Sequence, residues 1–325
     1  MRIVFLGSGD FGCPSLRRLH ECGHEVLQVV TQPARQSGRG RKVKPTAIAT
    51  LAAELKLPCL ETANVNETDI VAKVRALEPE VLIVIAFGQK IGNELLQIPT
   101  CRVINLHGSL LPKYRGAAPI NWAILKGETE TGLTVIELNE QWDAGDILGQ
   151  AKTKIQPSET AGELHDRLAD MGTQLLLEVL GKMAAGRDSP LVQDHCLASR
   201  APKLKKEDGA ICWSQPAKTL RNFIHGMSPW PGAFCYLKQQ NKDKSERITL
   251  LRAEVASPDN GADIAESAPA GTVAQDLSIH CASGRLRLLE VKPDNGRQMA
   301  FANFAHGRHL QKGDRLLECK MKNIQ

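Results

Sequence analysis

Asn105 and His107 stand two residues apart in INLHGSLLPKYRGAAPINWAI (104–124), at the carboxyl end of the apolar run RVINL (102–106). Alternate residues of a strand leave the same face, so an amide and an imidazole share one edge of a sheet. In open α/β sheets that carboxyl edge is where ligands sit. Downstream, ELNEQWDAGDIL (137–148) places Asp143 and Asp146 on either side of Gly145, just past a second apolar run, GLTVIEL (132–138). If the two strands are neighbours, a carboxylate from this loop reaches the histidine. Asparagine, histidine and aspartate together suit transfer of a carbonyl group. The amide donates to a developing oxyanion, the imidazole shuttles or stabilises charge, and the carboxylate sets the imidazole tautomer. Ser109 is the nearest hydroxyl, but no G-x-S-x-G elbow surrounds it. Direct attack by an incoming substrate is therefore more economical than a covalent intermediate. A lone histidine here would ordinarily be core packing, and it is the conjunction that points to chemistry.

These side chains need a scaffold, and residues 1–150 supply its pattern. RIVFL, EVLQVV (25–30), VLIVIAF (81–87), RVINL and GLTVIEL are near-continuous apolar runs separated by helical segments. That texture predicts an α/β fold, a Rossmann-like and mostly parallel sheet with helices on both faces. Helices are expected near 13–22 and 46–57, and a long one near 161–185 carries Leu164, Leu168, Met171, Leu175 and Val179 as a core-facing stripe. The first strand runs into LGSGDFG, with Gly7, Gly9 and Gly12 in a literal G-x-G-x-x-G. A dinucleotide site also wants an acidic residue after the second strand. Here that strand ends in Thr31-Gln32-Pro33, and Arg35 alone would have to serve an NADP reading. The glycines are accordingly read as a tight strand-to-helix turn, and no NAD is expected.

Residues 187–208, with Pro190, Pro202 and APKLKKEDG, read as a connection between domains. Beyond it, GAFCYL, RITLLRAEV, GTVAQDLSIHCA and RLRLLEV are short strands with turn residues between them and hardly any helix, which suggests a small β-barrel of the oligonucleotide-binding type. The expected division is a catalytic domain at 1–188, a linker at 189–207 and the barrel at 208–325. A chain of 325 residues is long enough for two cores.

The net charge of +5 is uneven, because residues 200–325 hold 20 basic and 13 acidic side chains. A basic second half suggests a polyanionic partner. The nine cysteines are scattered, odd in number and without a C-x-x-C pair, fitting neither a disulfide framework nor a zinc site. His306 and His309 in HGRH lack a third ligand at metal spacing, so no metal is expected. The N-terminal apolar run is too short for a signal peptide or a membrane span, and a cytoplasmic location without membrane attachment is expected.

Asn105-Leu106-His107, SLLPKYRGAAP (109–119) and WDAGD (142–146) resemble the signature of the folate-dependent formyltransferases. The basic loop SGRGRKVKP (37–45), Asp10-Phe11 after the first strand, AFG at 86–88 and IHGMSPWPGAF (224–234) are similar to the branch that acts on aminoacylated tRNA. The resemblance implies transfer of formyl from 10-formyltetrahydrofolate to the α-amine of methionine esterified to initiator tRNA, by a monomer with no obligate protein partner. It puts Asn105, His107 and Asp143 on the catalytic triad, and Ser109, Leu110, Leu111 and Pro112 on a folate-contacting turn. Phe87, Gly88, Gln89 and the loop Asn139 to Asp143 wall the pterin pocket, largely through backbone groups. Arg35, Arg39, Arg41, Lys42 and Lys44 follow acceptor-stem phosphates on a loop that Gly38 and Gly40 make mobile, with Arg39 at the family's discriminating arginine. Gln141, Trp142 and Ala144 depart from the residues usual around the catalytic aspartate. The competing readings are a formyltransferase for glycinamide ribonucleotide or an amino-sugar nucleotide, a non-catalytic RNA-binding module, and a dehydrogenase.

Overall fold

Ile3, Val4, Phe5 and Leu6 are completely buried, as expected of a strand covered on both faces. They form β1 (Arg2–Gly7) in the computed structural model, which describes residues 1–37, 42–256 and 268–318. The chain continues through α1 (Cys13–Glu21), β2 (Glu25–Thr31), β3 (Arg35–Ser37), β4 (Lys42–Lys44), α2 (Ala47–Glu54), β5 (Cys59–Glu61) and α3 (Thr68–Ala76). Next come β6 (Val81–Ile85), α4 (Asn93–Leu96), β7 (Arg102–His107), β8 (Arg115–Gly116) and α5 (Pro119–Leu125). β9 (Glu130–Glu137), β10 (Ile147–Lys154), α6 (Ala161–Ala184) and β11 (Arg200–Ala201) follow. The main sheet has the order β10-β9-β7-β6-β1-β2-β5. β1 pairs parallel with β2 and β6, β2 with β5, and β6 with β7. β9 is the exception: it runs antiparallel to β7, pairing Asn105 with Ile136 and His107 with Thr134.

The chain divides into two units. The first contains Met1–Pro119, Thr131–Thr153 and His165–Ala201, and the second Ile120–Glu130, Lys154–Leu164 and Pro202–Gln325. The span read from sequence as a linker at 189–207 thus belongs to the first unit as far as Ala201. Leu191 bridges to Ile147, and β11 pairs in parallel with β8, so the segment is fixed by backbone hydrogen bonds.

Within the first unit, the turn after β1 is tied to its neighbours. The amides of Ser8 and Gly9 both donate to the Ala86 carbonyl, at 3.3 and 3.1 Å. Ser8 Oγ donates to Phe87 O at 3.2 Å and accepts from the Gln32 amide at 3.1 Å. A pyrophosphate cradle requires free amides at this turn, and those of Ser8, Gly9 and Gly12 are already engaged. Thr46 caps α2 by accepting from Ala49 N at 3.0 Å, and its hydroxyl meets Thr31 Oγ1 at 2.7 Å, joining the end of β2 to the start of α2. Helix α6 lies so close to β7 that a Cβ on Gly172 would stand 2.6 Å from Leu106 Cδ2. Any larger residue there must push aside the Leu106 side chain of the strand that carries the candidate site.

His165 on α6 faces Asp10, at 3.4 Å from Nε2, and Asp166, at 2.9 Å from Nδ1, with Phe11 tilted against its ring. The hydrogen bond to Asp10 raises the His165 pKa, and the same bond lowers that of Asp10. The histidine's contribution to stability is complete below its unfolded value of about 6.5 and fades as pH rises through the raised folded value; the aspartate's fades as pH falls below its ordinary range. His165→Gln should therefore lower Tm most near about pH 5–6 and least above about pH 8, by a modest amount because both carboxylates are solvent-exposed. A Tm difference that grows towards alkaline pH would contradict this.

In the second unit α7 (Ala217–Met227) precedes β12 (Ala233–Lys238), β13 (Glu246–Val255), β14 (Ile279–His280), β15 (Arg285–Pro293), β16 (Met299–Ala300), α8 (Phe301–Arg308) and β17 (Arg315–Leu317). The antiparallel path is β14-β15-β13-β12-β17. Its two ends are joined through Thr272, which bridges to Arg315, and Val273, which bridges to Ile279. The core holds Trp213, Ile248, Leu250 and Val291. The expected barrel carries more helix than its sequence texture suggests, since α7 and α8 contribute their buried faces, including Leu220, Ile224, Phe301 and Phe304.

Candidate active site

β7 delivers the first two side chains. Asn105 Nδ2 donates to the Val84 carbonyl of β6 at 2.8 Å, which fixes the amide orientation and leaves one of its two N–H groups over. Asn105 Oδ1 is buried with no partner. An orphaned buried acceptor carries a desolvation cost of about 1–3 kcal/mol, and its recovery by a ligand is a physical reason for such a group to persist. His107, only 6 % exposed, places Nε2 3.0 Å from Tyr114 O. A carbonyl only accepts, so Nε2 bears the hydrogen and Nδ1 is the nitrogen left to face Asp143, whose Oδ2 lies 3.8 Å away. Of the two carboxylates open from sequence, Asp143 is the one beside the imidazole.

Asp143 is buried and sits at φ +51°, a left-handed conformation that costs a non-glycine residue about 1–2 kcal/mol. The loop around it is tight: a Cβ on Gly145 would collide with the Glu137 carbonyl, so only glycine fits. Asp143 Oδ2 accepts from Gly116 N at 2.8 Å. Its loop carbonyls are held by Gln193, whose Nε2 donates to Asp143 O at 3.0 Å and Gly145 O at 2.7 Å.

The turn between β7 and β8 packs underneath. Ser109 Oγ donates to Lys113 O at 2.7 Å, which occupies it as a turn residue. Thr134 of β9 ties the same turn down, donating to Ser109 O at 2.7 Å and accepting from Leu111 N at 3.0 Å, while Gln150 of β10 donates to Leu111 O at 2.8 Å. Leu111 is buried, and Leu110 and Pro112 are partly exposed.

At the end of β6, Ala86 and Gly88 are exposed while Phe87 points into the core. The Phe87 carbonyl accepts from Ser8 Oγ and from Gln32 Nε2, the latter at 2.8 Å. Gln89 turns its amide away, accepting from Val65 N at 2.7 Å and donating to Thr62 O at 2.9 Å. Only main-chain groups of this segment therefore remain for a ligand. Asn139 closes a local turn by accepting from Gln141 N at 2.9 Å.

Away from this cluster, β3 and β4 form a short antiparallel hairpin that pairs Arg35 with Lys44. Arg35, Lys42 and Lys44 are exposed on it; Arg39 and Arg41 lie outside the described residues. Among the described residues no three His, Cys, Asp or Glu side chains gather as a metal-binding group, and no helix is long and apolar enough to cross a membrane.

Residues 1–180 match the formyl transferase family model and residues 203–309 its C-terminal domain. The chain is also 39% identical, over 97% of its length, to the methionyl-tRNA formyltransferase of Geobacter metallireducens, of which it covers 98%. The chain belongs to the formyl transferase family, in its methionyl-tRNA branch. A second relative of the branch, from Moorella thermoacetica, is 39% identical over 98% of the chain and is covered in full. The formyl transferase fold is shared more distantly with HypX from Aquifex aeolicus, solved with tetrahydrofolic acid, at a TM-score of 0.62 and 19% identity over 94% of this chain and 47% of that one. It is shared as well with an N-formyltransferase from Helicobacter canadensis, in complex with folinic acid and dTDP-3-aminofucose, at a TM-score of 0.63 and 15% identity over 88% of this chain and 98% of that one.

Sequence reasoning missed Tyr114, Gly116 and Gln193. The first two act through backbone atoms, for which side-chain type carries no signal. Gln193 follows Pro190-Leu191-Val192 in a stretch without helical or strand periodicity.

Proposed function

We propose that the chain moves the formyl group of 10-formyltetrahydrofolate onto the free α-amine of methionyl-initiator tRNA, as a monomer in the cytoplasm. The observation that carries this reading is the cluster of half-buried Asn105 with buried His107 and Asp143 at the carboxyl edge of β7, with the Asn105 side-chain oxygen buried and unpartnered. The family likeness over nearly the whole chain supports the choice of substrates.

In this reading the amine nitrogen attacks the formyl carbon, a C–N bond forms, and the carbonyl oxygen becomes an oxyanion. The spare Asn105 N–H and the Nδ1–H of a protonated His107 stabilise that charge, and Asp143 supports the imidazolium. The bond to folate N10 then breaks as the imidazolium of His107 gives its Nδ1 proton to N10, and the proton lost by the amine restores that imidazolium. The pterin lies against the main chain of Phe87, Gly88 and Gln89 and the loop from Asn139 to Asp143, with Ser109, Leu110, Leu111 and Pro112 forming the other wall.

Arg35, Lys42 and Lys44, with Arg39 and Arg41 between them in sequence, follow the phosphates of the acceptor stem. Replacing Arg35, Lys42 and Lys44 by alanine should raise KM for the tRNA, flatten its dependence on salt and leave folate binding unchanged, since each phosphate contact contributes about 0.7–0.9 to the slope of log K against log salt. Equal losses of folate and tRNA binding would contradict the assignment. The function itself is tested by incubating the protein with 10-formyltetrahydrofolate and, separately, charged initiator tRNA, glycinamide ribonucleotide or an amino-sugar nucleotide. Formyl should appear on the methionyl amine; its appearance on either small amine instead would overturn the proposal.

A further inference from the structure

Gln193 is 3 % exposed, and its amide is fully committed. Nε2 spends both hydrogens on the carbonyls of Asp143 and Gly145, at 3.0 and 2.7 Å, and Oε1 accepts from Arg115 Nε and Nη2 at 3.2 and 2.6 Å. The reverse orientation would set N–H against guanidinium N–H, so Arg115 determines which way the amide points. The two carbonyls it holds lie on either side of Ala144, directly after the left-handed Asp143. A strained residue persists only where its surroundings over-determine it, and Gln193 is the side chain that does this from outside the loop. The same segment also clamps the opposite wall. Tyr114 N donates to Ser199 Oγ at 2.9 Å, Arg115 N to Ser199 O at 2.8 Å, and Ala117 N to Ala201 O at 2.9 Å. Those bonds place the Tyr114 carbonyl that orients His107 and the Gly116 amide that holds Asp143.

We propose that Gln193 is a positioning residue for Asp143, presenting its carboxylate to His107 through the strap that follows α6. The inference rests on the assignment of Asp143 to the reaction. Misplacing a catalytic group by about 1 Å costs on the order of 10–100-fold in rate.

Gln193→Met removes the donors with little change of volume. Gln193→Glu keeps the acceptor for Arg115 and sets oxygen against both carbonyls. Each variant should lose about 10–100-fold in kcat, with KM for 10-formyltetrahydrofolate and for methionyl-tRNA within about twofold; Tm should fall, because two buried carbonyls lose their donor, while the chain stays folded at the assay temperature. Single-turnover rates followed over hours then complete a cycle with Asp143→Asn. If Gln193 acts through Asp143, adding Gln193→Met to Asp143→Asn costs nothing further. Unchanged kcat in both Gln193 variants, or losses that multiply in the double variant, would overturn the proposal. A fully active Asp143→Asn would instead overturn the assignment of Asp143 on which it rests.

Discussion

Asn105→Ala and His107→Ala are each expected to lower kcat by about 10²–10³, the cost of losing one donor to an oxyanion, while binding of methionyl-tRNA persists. The two should differ in their side effects. Asn105→Ala also removes the 2.8 Å bond to Val84 O, a loss of about 1 kcal/mol in stability, so its Tm should fall slightly. Asn105→Asp keeps the shape but removes both donors and sets oxygen against Val84 O, so it should be at least as slow as the alanine variant and no more stable. His107→Ala removes the imidazole bond to the Tyr114 carbonyl and opens space beside Asp143. His107→Asn should be as slow as the alanine variant, since an amide donates there but does not exchange a proton at neutral pH. Single-turnover formylation alongside a tRNA-binding isotherm measures both quantities; near-wild-type rates in any of these variants would remove the triad from the mechanism.

Acid should destabilise the second unit through one buried histidine. His225 on α7 is 2 % exposed, and its Nε2 accepts from Ala253 N at 3.2 Å, which requires the neutral ring. Burial first, then the nearby Arg221 and Arg252 guanidiniums, pull its pKa down to about 4 against the opposing pull of Glu163; the Ala253 N–H, which needs the ring lone pair, also favours the neutral form. Arg252 is itself paired with Glu163 and donates to Ser158 O at 2.6 Å, so these charges are fixed around the ring. Because the folded pKa lies below the unfolded value of about 6.5, the unfolded chain takes up the proton first, and stability falls as pH drops from about 6.5 towards about 4. The shift corresponds to about 3 kcal/mol by the low end of that range. His225→Gln retains an acceptor for Ala253 N without a titrating ring, so its Tm should decline less steeply over this window. Parallel Tm profiles for the two proteins would refute the assignment.

The scaffold was legible because burial on both faces leaves uninterrupted apolar runs, and β1, β6 and β7 fall where those runs lie. β9 shows where this signal stops: its residues from Thr131 to Ile136 are all buried although it runs antiparallel, so the pattern reports covering and not direction. The juxtaposition of Asn105 and His107 was legible because they sit at period two on one strand end. What holds it was not. The Tyr114 carbonyl and Gly116 amide are backbone atoms available to any sequence, and Gln193 reaches Asp143 from fifty positions away through a segment rich in turn residues. The G-x-G-x-x-G register reported the turn after β1 correctly; that its amides are engaged depends on Ala86, which is distant in sequence and adjacent only through sheet order.

The strap after α6 has a consequence for how the protein is made. Asn105, His107 and Asp143 leave the ribosome well before Gln193, Ser199 and Ala201, and until that last segment arrives the aspartate loop has no donors for its carbonyls. A nascent chain with its seven-stranded sheet already paired therefore still lacks the bonds that hold this loop. A fragment meant to keep this loop in place must likewise reach Ala201, even though the last strand of its main sheet ends at Lys154 and its last helix at Ala184.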